Sequence, residues 1–258
     1  MLTNVLPLVV FTTCSGMAIG AYLVAALYGS AAGKAPKGGR EFAFALTCLV
    51  LLGVGLCATL AHLGQPGRFM NGLSNPASMI AQEGYWSMAV GVLMLVDVIM
   101  VKVKGAPIAA LRWAIAAVGI VLMCVTALAY YNATGIAVWH GVSTVFVIVI
   151  GDVLLGLALY LLFFGESSAQ ALKLGYAMAA VWAVALFAFV LHAQASGSDV
   201  TAASVCSGVL ATAAPIAVGA FAAGGRLDAK KASYAMAALL LVGVIVARCA
   251  FFAAGVAA

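Results

Sequence analysis

The sequence predicts an all-α integral membrane protein of eight transmembrane helices, a single membrane domain with the outline of two four-helix halves, 1–131 and 132–258, and both termini outside. Composition is the first reason. Hydrophobic residues make up 66% of 258 and charged residues 7%, with a mean hydropathy of +1.21, which leaves too little polar surface to solvate a soluble globule. The second reason is repetition: apolar runs long enough to cross a hydrocarbon core of about 30 Å, each needing ~20 residues as a helix, recur eight times. The third is that the basic residues fall in the short connections between those runs.

The first run, 5–29, has no basic residue before it, is longer than a leader's apolar region and is followed at once by another run, so it reads as a retained helix. The second, 42–63, ends in His62, and the third, 83–103, opens on "AQEGYW". The fourth and fifth cover 108–131 and 140–164, the latter beginning at His140 and carrying Asp152. The sixth, 170–193, ends near His192. The seventh, 204–223, contains "GVLATAAPIAVGAFAAGG", whose small side chains permit close helix approach and whose Pro215 predicts a kink. The eighth, 232–255, carries Arg248. "LAHLGQ" and "VLHAQA" end the second and sixth runs, a faint sign of duplication.

Cys14, Cys48, Cys57, Cys124, Cys206 and Cys249 all lie inside these runs with no C-x-x-C pair, so the spacing supports neither an iron-sulfur cluster nor a structural zinc site in this chain. The +5 net charge does not form a patch suited to nucleic acid. It reports topology instead. Lys34, Lys37, Arg40, Lys102, Lys104, Arg112, Lys173, Arg226, Lys230 and Lys231 share one side, so that side is expected to be cytoplasmic. His62, His140 and His192 then fall near the outer boundary.

The longest polar connection also faces outward: "HLGQPGRFMNGLSNPASMIAQEGYW", from position 62. Pro66 and Pro76 interrupt helix, and Gly64, Gly67 and Gly72 allow the chain to turn. Ser74, Asn75 and Ser78 suit local backbone bonding as well as ligand contact. Glu83 can serve as a helix N-terminal carboxylate or as a site residue, because His62, Arg68, Tyr85 and Trp86 stand close in sequence. A histidine and a carboxylate suit proton transfer at a redox-active quinol, since either can take a proton near neutral pH in the right surroundings. Arg68 suits a headgroup anchor equally well, and Tyr85, Trp86 and Trp139 suit an interfacial aromatic belt.

Ionisable groups inside the runs are further candidates. Asp152 and Arg248 suit a buried pair or a relay, whereas Asp97, nearer the basic side, is expected to neutralise Lys102 or Lys104. A secondary transporter with a midplane site at Asp152 and Arg248 is the competing class. Two histidines clasping a b-type haem would define a third.

The chain resembles the DmsC family, the membrane anchor subunits of dimethyl sulfoxide reductase-type molybdoenzymes. The resemblance spans nearly the whole chain and is most specific in the 62–86 stretch just quoted. It implies a prokaryotic cytoplasmic-membrane anchor that oxidises menaquinol near the outer face. Electrons would pass to an iron-sulfur subunit and on to a molybdopterin catalytic subunit, with no metal or haem in this chain. It further implies that His62 and Glu83 match the family's quinol-binding histidine and glutamate. Arg68, Asn75 and Tyr85 stand beside them as second-rank neighbours.

Overall fold

A computed structural model describes residues 2–29, 38–62, 67, 69–165 and 169–257. Ten α-helices lie among the described residues: α1 (Leu2–Tyr28), α2 (Gly38–His62), α3 (Phe69–Leu73), α4 (Met79–Lys104), α5 (Ala109–Tyr131), α6 (Val142–Phe164), α7 (Ala169–Ala195), α8 (Thr201–Gly208), α9 (Ala214–Ala223) and α10 (Ala229–Ala257). Among the described residues there is no strand. Eight spans among the described residues are long and apolar enough to cross a membrane, α8 and α9 together forming one, Thr201–Ala223. Helices satisfy every interior backbone group within themselves, which is what a hydrocarbon solvent demands.

Within the seventh span, a π-helical stretch (Val209–Ala213) leads directly into Pro215. Proline has no N–H to return to the preceding turn, and the wider turn absorbs the mismatch at the predicted kink. Gly105 closes α4 with φ 71°, a left-handed cap that donates its N–H to Val101 O at 2.9 Å.

The most deeply buried spans belong to α1 and α6, which pack along each other across the two sequence halves. Lipid offers no hydrophobic drive to join them, so their contact depends on close packing. Gly16 and Gly20 on α1, four residues apart, meet Asp152 and Gly156 on α6. A Cβ at Gly156 would enter the Gly20–Ala21 backbone, and one at Gly16 would enter the Asp152 carboxylate. Gly156→Val is therefore expected to lower the melting temperature of the detergent-solubilised protein, at a cost of about 1–3 kcal/mol or more. Gly53→Val is the matched control, because nothing lies within 4 Å of its added Cβ. Equal melting of the two variants would refute this account of the α1–α6 contact.

Two buried polar networks bind the helices. In the first, α1, α2, α4 and α5 each contribute one residue. The Tyr22 hydroxyl donates to Asp97 Oδ2 at 2.9 Å, Arg112 Nη2 donates to Glu41 Oε2 at 2.5 Å, and Arg112 Nε lies 3.7 Å from Asp97 Oδ2. Asp97 therefore does not pair with Lys102 or Lys104 as the sequence suggested. Lys102 is five residues on, about 140° round the helix, and sits over the Phe42 ring, while Lys104 is two turns, about 10 Å, further along. In the second network Arg248 on α10 donates from Nη2 to Asp152 Oδ1 and to Ile148 O on α6.

Candidate functional site

The connection between α2 and α4 is built by its own polar groups. Ser74 Oγ donates to Asn71 O at 2.7 Å, and Asn75 Oδ1 accepts the Ala77 N–H at 3.2 Å in an Asx turn. Gln82 then ties the turn to α4: its Nε2 donates to Pro76 O at 2.6 Å, and its Oε1 accepts from Trp86 Nε1 at 3.2 Å. The Tyr85 hydroxyl donates to Leu73 O, pinning α3 against α4. Asn75 and Tyr85 are thus engaged in holding the loop, and neither lines the cavity described next. Tyr85→Phe is expected to speed limited proteolysis within 69–78 while leaving the cavity intact, since a lost hydrogen bond costs about 1 kcal/mol. An unchanged cleavage rate would show that the Tyr85 bond does not restrain the loop.

α4 begins at Met79, with Ser78 at its N-cap making no side-chain cap bond. Glu83 accordingly lies more than a turn inside the helix, and the capping role open to it on sequence grounds is not the one it plays. Its side chain faces a cavity of about 390 Å³. Leu8 and Phe11 of α1, Leu56 and Leu60 of α2, and Tyr130 and Trp139 supply apolar and aromatic walls. Ile80 and Met88, at the rim, are 50% and 49% exposed, so the cavity opens sideways towards the helix exterior that lipid would occupy.

Glu83 Oε1 is buried without a hydrogen-bond partner. Thr126 of α5 stands beside the carboxylate. An unsatisfied buried acceptor costs about 1–3 kcal/mol, more if charged, so Oε1 is a strong acceptor waiting for a donor inside a largely apolar chamber. One turn deeper, Ser87 Oγ is also buried without a partner.

Trp139, read from the sequence as an interfacial ring, is instead 5% exposed. It stacks on Phe251 with centroids 5.3 Å apart and donates from Nε1 to Phe251 O at 3.0 Å. Tyr130 meets Trp139 and Phe252 edge-on, and a Cβ at Gly255 would strike the Trp139 indole. The tight α10 packing that draws Trp139 inward is invisible in its local sequence.

His62 is the last residue of α2, two positions beyond the cavity-lining Leu60. The His62 side chain and Arg68 lie outside the described residues. His140 Nδ1 lies 2.7 Å from Tyr131 O, its ring stacked on Tyr131 at 5.0 Å, and His192 Nε2 lies 3.1 Å from Ala137 O. One nitrogen of each ring is thus engaged with a backbone carbonyl. Among the described residues no group of three or more His, Cys, Asp or Glu side chains could hold a metal ion. At Asp199 the backbone N–H of Thr201 donates to Oδ1 at 2.9 Å and holds that carboxyl below its usual range.

Sequence reasoning missed Ser87, Thr126 and Tyr130 as neighbours of Glu83. Ser87 alone carried a local signal, standing four residues after Glu83 on the same helix face. Glu41 and Arg112 were missed as partners because they come from helix starts 71 residues apart.

The model of the DMSO reductase anchor subunit (DmsC) family matches residues 2–251. No individual curated protein matches the chain. With eight apolar spans and a family match over nearly its whole length, this chain is a multi-pass membrane protein that belongs to the DmsC family, the anchor subunits of DMSO reductase-type complexes.

Proposed function

We propose that the chain oxidises menaquinol in the Glu83 cavity and passes the electrons to a docked iron-sulfur subunit that feeds a molybdopterin reductase. The observation that carries this reading is the unpartnered, buried Glu83 Oε1 in an aromatic-walled chamber with a sideways opening. A flat ring fits between Tyr130, Trp139 and the aliphatic wall, an isoprenoid tail leaves past Ile80 and Met88, and a ring hydroxyl donates to Glu83. Oxidation removes two electrons and two protons from the quinol. The electrons leave through the iron-sulfur subunit, while Glu83 and His62, near the loop, carry the protons towards water. Arg68 suits a docking or anchoring role at the same boundary. The basic residues at the opposite ends of the spans support an inner-membrane orientation with this site facing outward.

The engagement of Asp152 with Arg248 supports a structural pair in place of a transport site, and neither residue lines the Glu83 cavity. Purification of the tagged chain in mild detergent from its native membrane tests the assembly. Molybdenum and non-haem iron should co-purify with two further subunits. A metal-free chain recovered alone from membranes that express it well would overturn the proposed partnership.

A further inference from the structure

Resting on that reading of the cavity, we infer that Ser87 is a positioning residue: the quinol ring lies along α4, with one hydroxyl on Glu83 Oε1 and the other on Ser87 Oγ. Both oxygens are buried, unpartnered and on one helix face of one cavity. Ser87 is 1% exposed. Four residues of helix rise ~6 Å, comparable to the separation of the para oxygens of a quinol ring.

Ser87 does not make the local bond that its helix offers. A serine or threonine inside a helix ordinarily donates to the carbonyl four residues earlier. Ser15 does so to Phe11 O at 2.6 Å, Ser233 to Ala229 O at 2.8 Å and Thr59, in the same cavity, to Gly55 O at 3.3 Å. Ser87 does not. Other buried hydroxyls, Thr13 and Ser207 among them, also lack partners, but they lie away from the cavity that Ser87 lines. Trp139 Nε1, the neighbouring donor, is already spent on Phe251 O.

A hydroxyl also suits both redox states of the ring. It accepts a hydrogen bond from the quinol hydroxyl and donates one to the quinone carbonyl, with no net gain of a proton. The outer proton passes to Glu83; the inner one passes to Ser87 Oγ as Ser87 releases its own hydroxyl proton towards Glu83, so both leave through Glu83 and His62. Ser87 fixes the ring against rotation, which holds the outer hydroxyl on the carboxylate.

The test measures binding of two probes to the assembled complex, fully reduced and without a terminal acceptor, by quenching of probe fluorescence. Menadiol carries two para hydroxyls, whereas 1-naphthol carries one, which prefers the carboxylate as the stronger acceptor. Ser87→Ala is expected to weaken menadiol about five- to tenfold and to leave 1-naphthol unchanged. Glu83→Gln should weaken both. Ser87→Ala removes an oxygen that has no partner, so a purely structural role predicts no loss of stability and no distinction between probes. Equal effects on both probes, no effect on either, or a menadiol-specific loss in Tyr130→Phe but not in Ser87→Ala would overturn the inference. If the unaltered complex binds menadiol no better than Glu83→Gln does, the quinol reading beneath it fails instead.

Discussion

Glu83→Gln in the assembled complex is expected to reduce quinol-dependent turnover by about 10²–10⁴-fold, the usual contribution of a positioned proton acceptor. The substitution is nearly isosteric. An amide can still accept from a ring hydroxyl through its oxygen, but it cannot take the proton. Subunit stoichiometry and melting temperature should therefore remain those of the unaltered complex, and reduction of the terminal acceptor by an artificial electron donor that bypasses the quinol should persist. That combination would separate loss of proton transfer from loss of assembly. Quinol-dependent turnover within twofold of normal would remove Glu83 from the mechanism and shift attention to His62.

The largest effect on stability is expected at Arg112. It joins Glu41 of α2 to Asp97 of α4, with Tyr22 of α1 bonded to the same aspartate, and all four side chains are buried. Arg112→Met strands two carboxylates in a low-dielectric interior, for which about 3–5 kcal/mol is the ordinary penalty. The network already has little surplus: Glu41 Oε1, Asp97 Oδ1 and Arg112 Nε have no hydrogen-bond partner. The variant should melt earlier or be recovered at reduced yield. Replacing the whole network, as Tyr22→Phe, Glu41→Leu, Asp97→Leu and Arg112→Met together, should recover much of the loss, because no uncompensated charge remains. An Arg112→Met protein that melts like the original would show that the cluster contributes nothing to holding the four helices.

The two effects separate along the chain's length. The Arg112 cluster lies at the starts of α2 and α5 and the later turns of α1 and α4, so it clamps one end of those helices. Glu83 lies near the other end of α4, beside the long connection. The same four helices that Arg112 ties together also wall the Glu83 cavity, with Leu8, Leu56, Glu83 and Tyr130 coming from α1, α2, α4 and α5. A rigid clamp at one end leaves the loop end free to be shaped by α3, Gln82 and Tyr85.

The sequence by itself determined the number of spans, the helical class and the position of the polar connection, because each rests on local physics. A run of about 20 apolar residues must become a helix in hydrocarbon whatever its neighbours do. Prolines and glycines end helices through their own backbone geometry. Glu83 could be singled out for the same reason, as a carboxylate beside an apolar span, and the 62–86 stretch was specific enough to point to the family that matches residues 2–251.

Only the tertiary structure decided which polar groups meet. Asp97 looked like the partner of its nearby lysines, yet its side chain turns into the bundle towards Tyr22 and Arg112 from other helices. Trp139 looked interfacial until α10 placed Phe251 and Gly255 around it. Glu83 could have been a cap, and becomes a site candidate because α4 starts a turn earlier and because α1, α2 and α5 enclose its oxygen without giving Oε1 a donor. Helix pairing in a membrane depends on small steric fits such as Gly20 against Gly156, which no periodicity in one helix encodes, and those fits select the neighbours that give each charge its role.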